Sequence, residues 1–415
     1  MIQKKEKVLI LLVILVFISV KNTPISQESR NESSENGMSE DLEENELTLP
    51  KSSNTGSTPL WRYELDDFFE TTDISADGEY VVAGNNNDRI YLYNRTGAQY
   101  QNYPTGGNIQ SVAISSDGYY YVAGSNDDAI YVFNRSEATP MWINTTGGDI
   151  RSVDISANGQ YLVAGSNDDQ IYLFNKTSPI ALWNYTTGGD VAAVCISDNG
   201  KIVAAGSTDN RIYLFNTTSG DLLFTLTAEG SITSIALSAN GADGVAGSGD
   251  NTVYYFNRSD SVWNSTLWGT VRTVDISGDG KHIVAGCNDN YLYVFNYSSP
   301  IYEWDYNFGV DVMSVAISNN SQIISAGSTN MIRSFYRDTA EILWEHVQVS
   351  TYELAISSEG KYTALAEGVS FFKSICLFSW STFEPLWRRY NADSVYYGKI
   401  SPEGSYIFAG LLGGS

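Results

Sequence analysis

The chain has 415 residues, of which 42% are hydrophobic, and a formal net charge of −24. That length holds two or three ordinary domains or one large repeat domain. The charge sets the protein against nucleic acid and anionic membrane surfaces, since both repel a strongly negative partner.

Charged residues make up only 17%, so the acidity reflects scarce Lys and Arg. With two histidines, His282 and His346, there is little material for His-based catalysis or metal binding. Cys195, Cys287 and Cys376 lie far apart without C-x-x-C spacing, which is no disulfide framework. They read as small buried hydrophobes.

The chain opens with Lys4, Lys5 and Lys7 before an apolar run at 8–20, VLILLVILVFISV. A membrane helix needs about 20 apolar residues. This shorter run fits the core of an export signal. No small-x-small cleavage site follows it, so an uncleaved anchor is the alternative. Residues 1–20 are thus expected to be a signal peptide or N-terminal membrane anchor, and the only membrane contact. Residues 21–58 are rich in Ser, Asn and Glu, with a net charge of −5. They are too polar to repay the entropy of folding and read as a disordered acidic linker.

From Trp61 the chain repeats. Ile74, Ile114, Ile155, Ile196, Leu237, Ile276, Ile317, Ile356 and Ile400 each precede a serine, at spacings of 40, 41, 41, 41, 39, 41, 39 and 44. Each unit holds a strand such as IRSVDIS, a turn such as ANG, a second strand QYLVAGS, a tight loop NDD and a third strand IYLFN. A longer loop leads to a fourth strand, often opened by Trp: Trp142, Trp183, Trp263, Trp304, Trp344 and Trp387. In the third strand Ile171 and Leu173 point one way, Tyr172 and Phe174 the other. Both faces are apolar, so every small sheet must be covered on both sides. Four-stranded sheets stacked around an axis meet that need.

The units resemble WD40-type propeller repeats, most clearly in SVAISSDGYYYVAGSNDDAIYVFN at 111–134. The Trp-opened fourth strand, as in LWNYTTG, is also similar to quinoprotein-like propeller repeats. The resemblance covers residues 59–415 and implies an all-β propeller of four-stranded antiparallel blades. Where the WD40 family has a Gly-His pair this chain has TGG, and Phe-Asn replaces Trp-Asp, so that family's internal Asp–His network is not carried over. The adjacent cysteines of quinoprotein dehydrogenases are missing, so no cofactor is expected. Eight units carry strands one to three, and a ninth stops after SYIFAGLLGGS. Eight blades are favoured, with seven or nine open. The last repeat is incomplete, or it closes the ring with the strand around Trp61.

Asn87, Asp127, Asp168, Asp209, Asp250, Asp289 and Thr329 stand at one position of the second turn. A catalytic or metal-binding residue is usually unique, and one that recurs in every unit serves the unit. Asp and Asn bond to nearby backbone N–H groups in tight turns. Asp73, Asp154 and Asp275 differ, because they sit in the innermost strand where other copies have Ala113, Cys195, Ala236 and Ala316. A carboxylate there must be paired or line the axial channel. Asn94, Asn134, Asn175, Asn216, Asn257 and Asn296 follow the third strand within Asn-x-Ser/Thr. Each is a turn residue and, after export, a possible glycan acceptor.

The expectation is a non-enzymatic extracellular or cell-surface propeller binding a protein or a surface glycan. The alternative is a quinoprotein-like or hydrolytic enzyme working in the axial channel. Carboxylates converging on one point of the channel would favour that alternative.

Overall fold

The computed structural model describes residues 13–19, 61–65, 69–96, 98–328, 331–347, 351–369, 372–379, 387–390 and 394–412. Every regular element among them is a β-strand. They build a β-propeller of nine four-stranded antiparallel sheets. Blade 3 shows the plan: inner strand Ile150–Ile155, then Tyr161–Ser166, Gln170–Asn175 and outer strand Trp183–Thr186. Blades 1 to 8 begin at Phe69, Ile109, Ile150, Val191, Ile232, Val271, Val312 and Thr351. Each is a run of consecutive strands.

Blade 9 is composite. Ser394–Ile400 lies innermost, followed by Tyr406–Leu412, Val13–Ser19 and Trp61–Leu65. Its inner strand packs on Phe69–Ile74 of blade 1 and closes the ring. Nine is thus the upper of the counts that the repeats leave open. The ninth unit lacks its own third and fourth strands, and segments from before the first repeat supply them. Val13–Ser19 pairs with Tyr406–Leu412 on one side and with Trp61–Leu65 on the other. Part of the N-terminal apolar run therefore lies in the propeller, which the sequence places at 59–415. Its amides cover two strand edges that would otherwise be bare. No helix among the described residues is long and apolar enough to cross a membrane. The acidic segment 21–58 lies outside the described residues.

The core sits between blades rather than inside them. Val163, Ile171 and Leu173 of blade 3 pack with Val191, Val194, Ile196, Val203, Ala205, Tyr213 and Phe215 of blade 4. Burying each Val, Leu, Ile or Phe among them contributes about 1.5–3 kcal/mol. The glycine in each VAGS-type second strand is fixed by this packing. A Cβ on Gly124 would lie 2.4 Å from Ile150 Cγ2, and one on Gly206 would lie 2.3 Å from Ile232 Cγ2. The next blade approaches too closely for any side chain there.

The tryptophans tie the outer wall. Trp142, Trp183, Trp263 and Trp304 donate from Nε1 to the carbonyls of Lys176, Thr217, Tyr297 and Arg337, each in the following blade, at 2.7–2.9 Å. A buried indole needs such a partner.

Candidate functional site

Two places collect the residues the sequence singles out. One is the face formed by the second turns and the TGG loops. The other is the axial channel.

On the loop face the second-turn aspartate organises three donors. Asp168 Oδ1 accepts from the Gln170 amide at 3.1 Å, while Oδ2 accepts from Tyr172 Oη at 2.7 Å and from the Gly147 amide of the preceding loop at 2.8 Å. Asp127 with Tyr131 and Gly106, and Asp209 with Tyr213 and Gly188, repeat it. Asp250 with Tyr254 and Glu229 does the same. Asp289 bonds Tyr293 and the Tyr291 amide. Burial would raise the Asp250 carboxyl, but hydrogen bonds from Tyr254, the Glu229 amide, Ser248 and Thr252 outweigh it, and its pKa lies below the usual value. Burial and the adjacent carboxylate push Tyr213 and Tyr254 up to about 12.

The neighbouring position explains the paired carboxylates. Asp128, Asp169, Asn210, Asn251 and Asn290 have φ of 65°, 66°, 70°, 70° and 79°. Asp and Asn tolerate this left-handed region where most residues do not. The "NDD" pair is therefore an Asx turn followed by a left-handed residue.

The frame is constant but the loop apex is not. Gly106, Gly147, Gly188, Glu229, Trp268 and Gly309 occupy one position in successive blades. Trp268 is 88% exposed.

In the channel, the three inner-strand aspartates tie blade to blade. Asp73 Oδ2 accepts from the Ile114 amide (2.9 Å), Asp154 Oδ2 from Ile196 (2.8 Å) and Asp275 Oδ2 from Ile317 (3.0 Å). Each Oδ1 accepts from the next residue's own amide, Ile74, Ile155 or Ile276. Three residues before each repeat isoleucine, hydroxyls make the same bridge: the amides of Val112, Val153 and Val194 donate to Thr71, Ser111 and Ser152.

Burial pushes the Asp154 carboxyl up to about 7, against the Ile196 and Ile155 amides and helped by the charges of Asp73 and Asp198. Burial pushes Asp275 up to about 6, opposed by the Ile317 and Ile276 amides and by Lys399. Cys195 stands in the same column. Burial, with Asp154 beside it, holds its thiol well above the ordinary range, far from the thiolate that reactivity needs.

Lys399 completes the column and escapes the sequence reading. It directly precedes Ile400, as Asp73 precedes Ile74, so the register itself points to it. Lys399 and Asp73 line a cavity of about 270 Å³ with Asp154, and a second of about 380 Å³ with Asp275. Among the described residues, no three His, Cys, Asp or Glu side chains come together as a metal site.

The asparagines after the third strand cap the opposite edge. Asn94, Asn175, Asn257 and Asn296 accept through Oδ1 from both the amide and the hydroxyl of the Ser or Thr two residues on. Asn134 and Asn216 accept from amides there. The recurring Asn-x-Ser/Thr is thus itself a turn, whether or not it carries a glycan.

Comparison with known families agrees with this geometry. The family described as outer membrane protein assembly factor BamB matches residues 51–261, and a WD domain, G-beta repeat matches residues 264–296. No curated protein matches the chain.

Proposed function

The chain belongs to the family described as outer membrane protein assembly factor BamB, and from that premise we propose that it is a non-enzymatic interaction platform that binds its partner through the loop face. One observation carries this reading. The Asp–Tyr–amide frame recurs almost unchanged in blades 2 to 6, while the apex above it changes from Gly to Glu to Trp. A fixed frame with variable tips suits recognition, since binding residues gather on loops positioned by a rigid scaffold.

The channel carboxylates support the same reading. Each is engaged with two amides of its own and the following blade, which is a structural duty. Presentation outside the cytoplasm, on a protein or glycan partner, belongs to the proposal. The six turn asparagines as glycan acceptors support it, whereas the pairing of residues 13–19 in blade 9 does not. A strand in blade 9 and a span in a membrane are exclusive fates for residues 13–19.

The test is capture from cell-surface extract with the intact chain, beside a variant carrying Glu229→Gly and Trp268→Gly. Capture should fall several-fold in the variant while its unfolding midpoint stays unchanged. Undiminished capture would move the binding surface elsewhere. Recovery of the native protein, unglycosylated, from soluble cytoplasm would end the surface reading.

A further inference from the structure

We infer that Trp268 is the stacking platform of a site for a neutral oligosaccharide on the loop face, a reading that rests on the platform function and gives it a ligand class. The repeat provides its own control. Gly106, Gly147, Gly188 and Gly309, and even Glu229, fill the same position. At most of these positions the loop makes the same amide bond to the next blade's aspartate. The fold therefore does not need an indole there. Exposing one to 88% is unfavourable for a side chain that gains free energy by leaving water.

Placement narrows the ligand. The other large exposed apolar side chains lie on fourth strands and the loops leading into them, on the outer wall. Among the described residues Trp268 is the one such side chain on the loop face. Its loop is held in polar surroundings. The Leu267 amide donates to the Asn251 carbonyl (2.7 Å), the Asn288 amide to the Thr270 carbonyl (3.1 Å), and Thr270 Oγ1 to Asn251 Oδ1 (3.4 Å). Gly269 lies against Asn288 and Asp289 so closely that a Cβ would stand 2.4 Å from Asn288 Oδ1.

A protein hot spot of this kind sits at the centre of a desolvated apolar patch, and here the patch is absent. One exposed aromatic face on a loop anchored by polar groups instead matches a pyranose ring. Its C–H face stacks on the negative π-face, and its rim hydroxyls meet planar polar groups. Charge decides between neutral and acidic sugars. The net charge is −24, and Arg272, the cation four residues on, is already paired with Asp311 at 2.9 Å. An anionic polysaccharide would be repelled.

The experiment titrates the intact chain with cello-, chito-, manno-, malto- and galacto-oligosaccharides, and with oligogalacturonate. Each is taken to about 10 mM, enough to saturate a Kd of about 1 mM. Isothermal titration calorimetry and tryptophan emission report binding. The expected result is binding of a neutral oligosaccharide with a blue shift of emission. Trp268→Ala should weaken it at least tenfold and Trp268→Phe less, with the thermal midpoint unchanged in both. The inference is overturned if no neutral oligosaccharide binds, if Trp268→Ala binds as the native chain does, or if only oligogalacturonate binds. Surface-extract capture that persists beside such a result sinks the saccharide and leaves the platform.

Discussion

Asp250 on the loop face and Asp154 beside the axis both accept backbone amides, and their carboxyls are shifted in opposite directions. On the loop face, Asp250 sits among hydroxyl and amide donors that hold its carboxyl below the ordinary pKa. Beside the axis, Asp154 also accepts two amides, yet burial and the charges of Asp73 and Asp198 lift it to about 7. The side chain is the same and each accepts two amides, but Asp250 also accepts the Tyr254 hydroxyl, which Asp154 lacks. The axis also takes more solvation away and gathers more like charges in one space. The rim turn uses aspartate in five successive blades, 2 to 6. The axis admits it at intervals, with Ala or Cys between and one lysine, Lys399.

That contrast can be broken most forcefully at the axis. Asp154→Ala strips the Ile155 and Ile196 amides of their acceptor, and each unpaired buried donor costs about 1–3 kcal/mol. The unfolding free energy from urea titration should fall by a total of about 2–4 kcal/mol, and by roughly half as much in Asp154→Asn. A loss in Asp154→Ala no larger than in a surface control would mean that the carboxylate does not join blades 3 and 4.

The sign of the pH dependence is the next discriminator. Between about pH 4, where an unfolded Asp titrates, and about 7, folded Asp154 keeps a proton that the unfolded chain has released. Its contribution is full below pH 4 and is lost as pH rises through about 7. Asp275 does the same up to about 6. The stability difference between the native chain and Asp154→Asn should therefore shift by on the order of 1–3 kcal/mol from pH 4 to 8, against the native chain. A flat difference would remove the inversion.

Smaller effects belong to the rim, where water replaces lost partners. Asp209→Ala should cost about 1–2 kcal/mol, and Tyr213→Phe, which loses one 2.5 Å bond, about 1 kcal/mol. If either matches Asp154→Ala in chemical denaturation, the two sites are not distinct. Glu229→Gly at the apex should fall within about 0.5 kcal/mol; a larger change in melting would mean that the apex holds up the frame.

Much of this was legible in the chain itself. The period near 41, the doubly apolar third strand and the recurrence of Asp168 across units fix the blade and identify the aspartate as a turn residue. The direction of each tie was not, because Asp154 finds Ile196 42 residues on, a distance no local pattern expresses. Blade 9 was harder still, since strand pairing joins Ile14 to Leu411. Lys399 stands in an aligned column, but a lysine breaks the pattern that defines it. Trp268 was hidden the opposite way, as one of nine tryptophans, when only its place among glycines sets it apart.

Many ties across blades join a residue to one in the blade that follows it in the chain. Asp73 waits for Ile114, Trp142 for Lys176, Gly147 for Asp168. A growing chain therefore emerges with each blade one step short of finished, the partners of these groups still inside the ribosome. At about 5–20 residues per second, the next 41 residues take roughly 2–8 s to appear. During that wait the newest sheet shows its apolar face to the cell. The ring assembles like a ratchet, each blade locked by its successor, and the last interval of exposure ends only when the first blade receives the ninth.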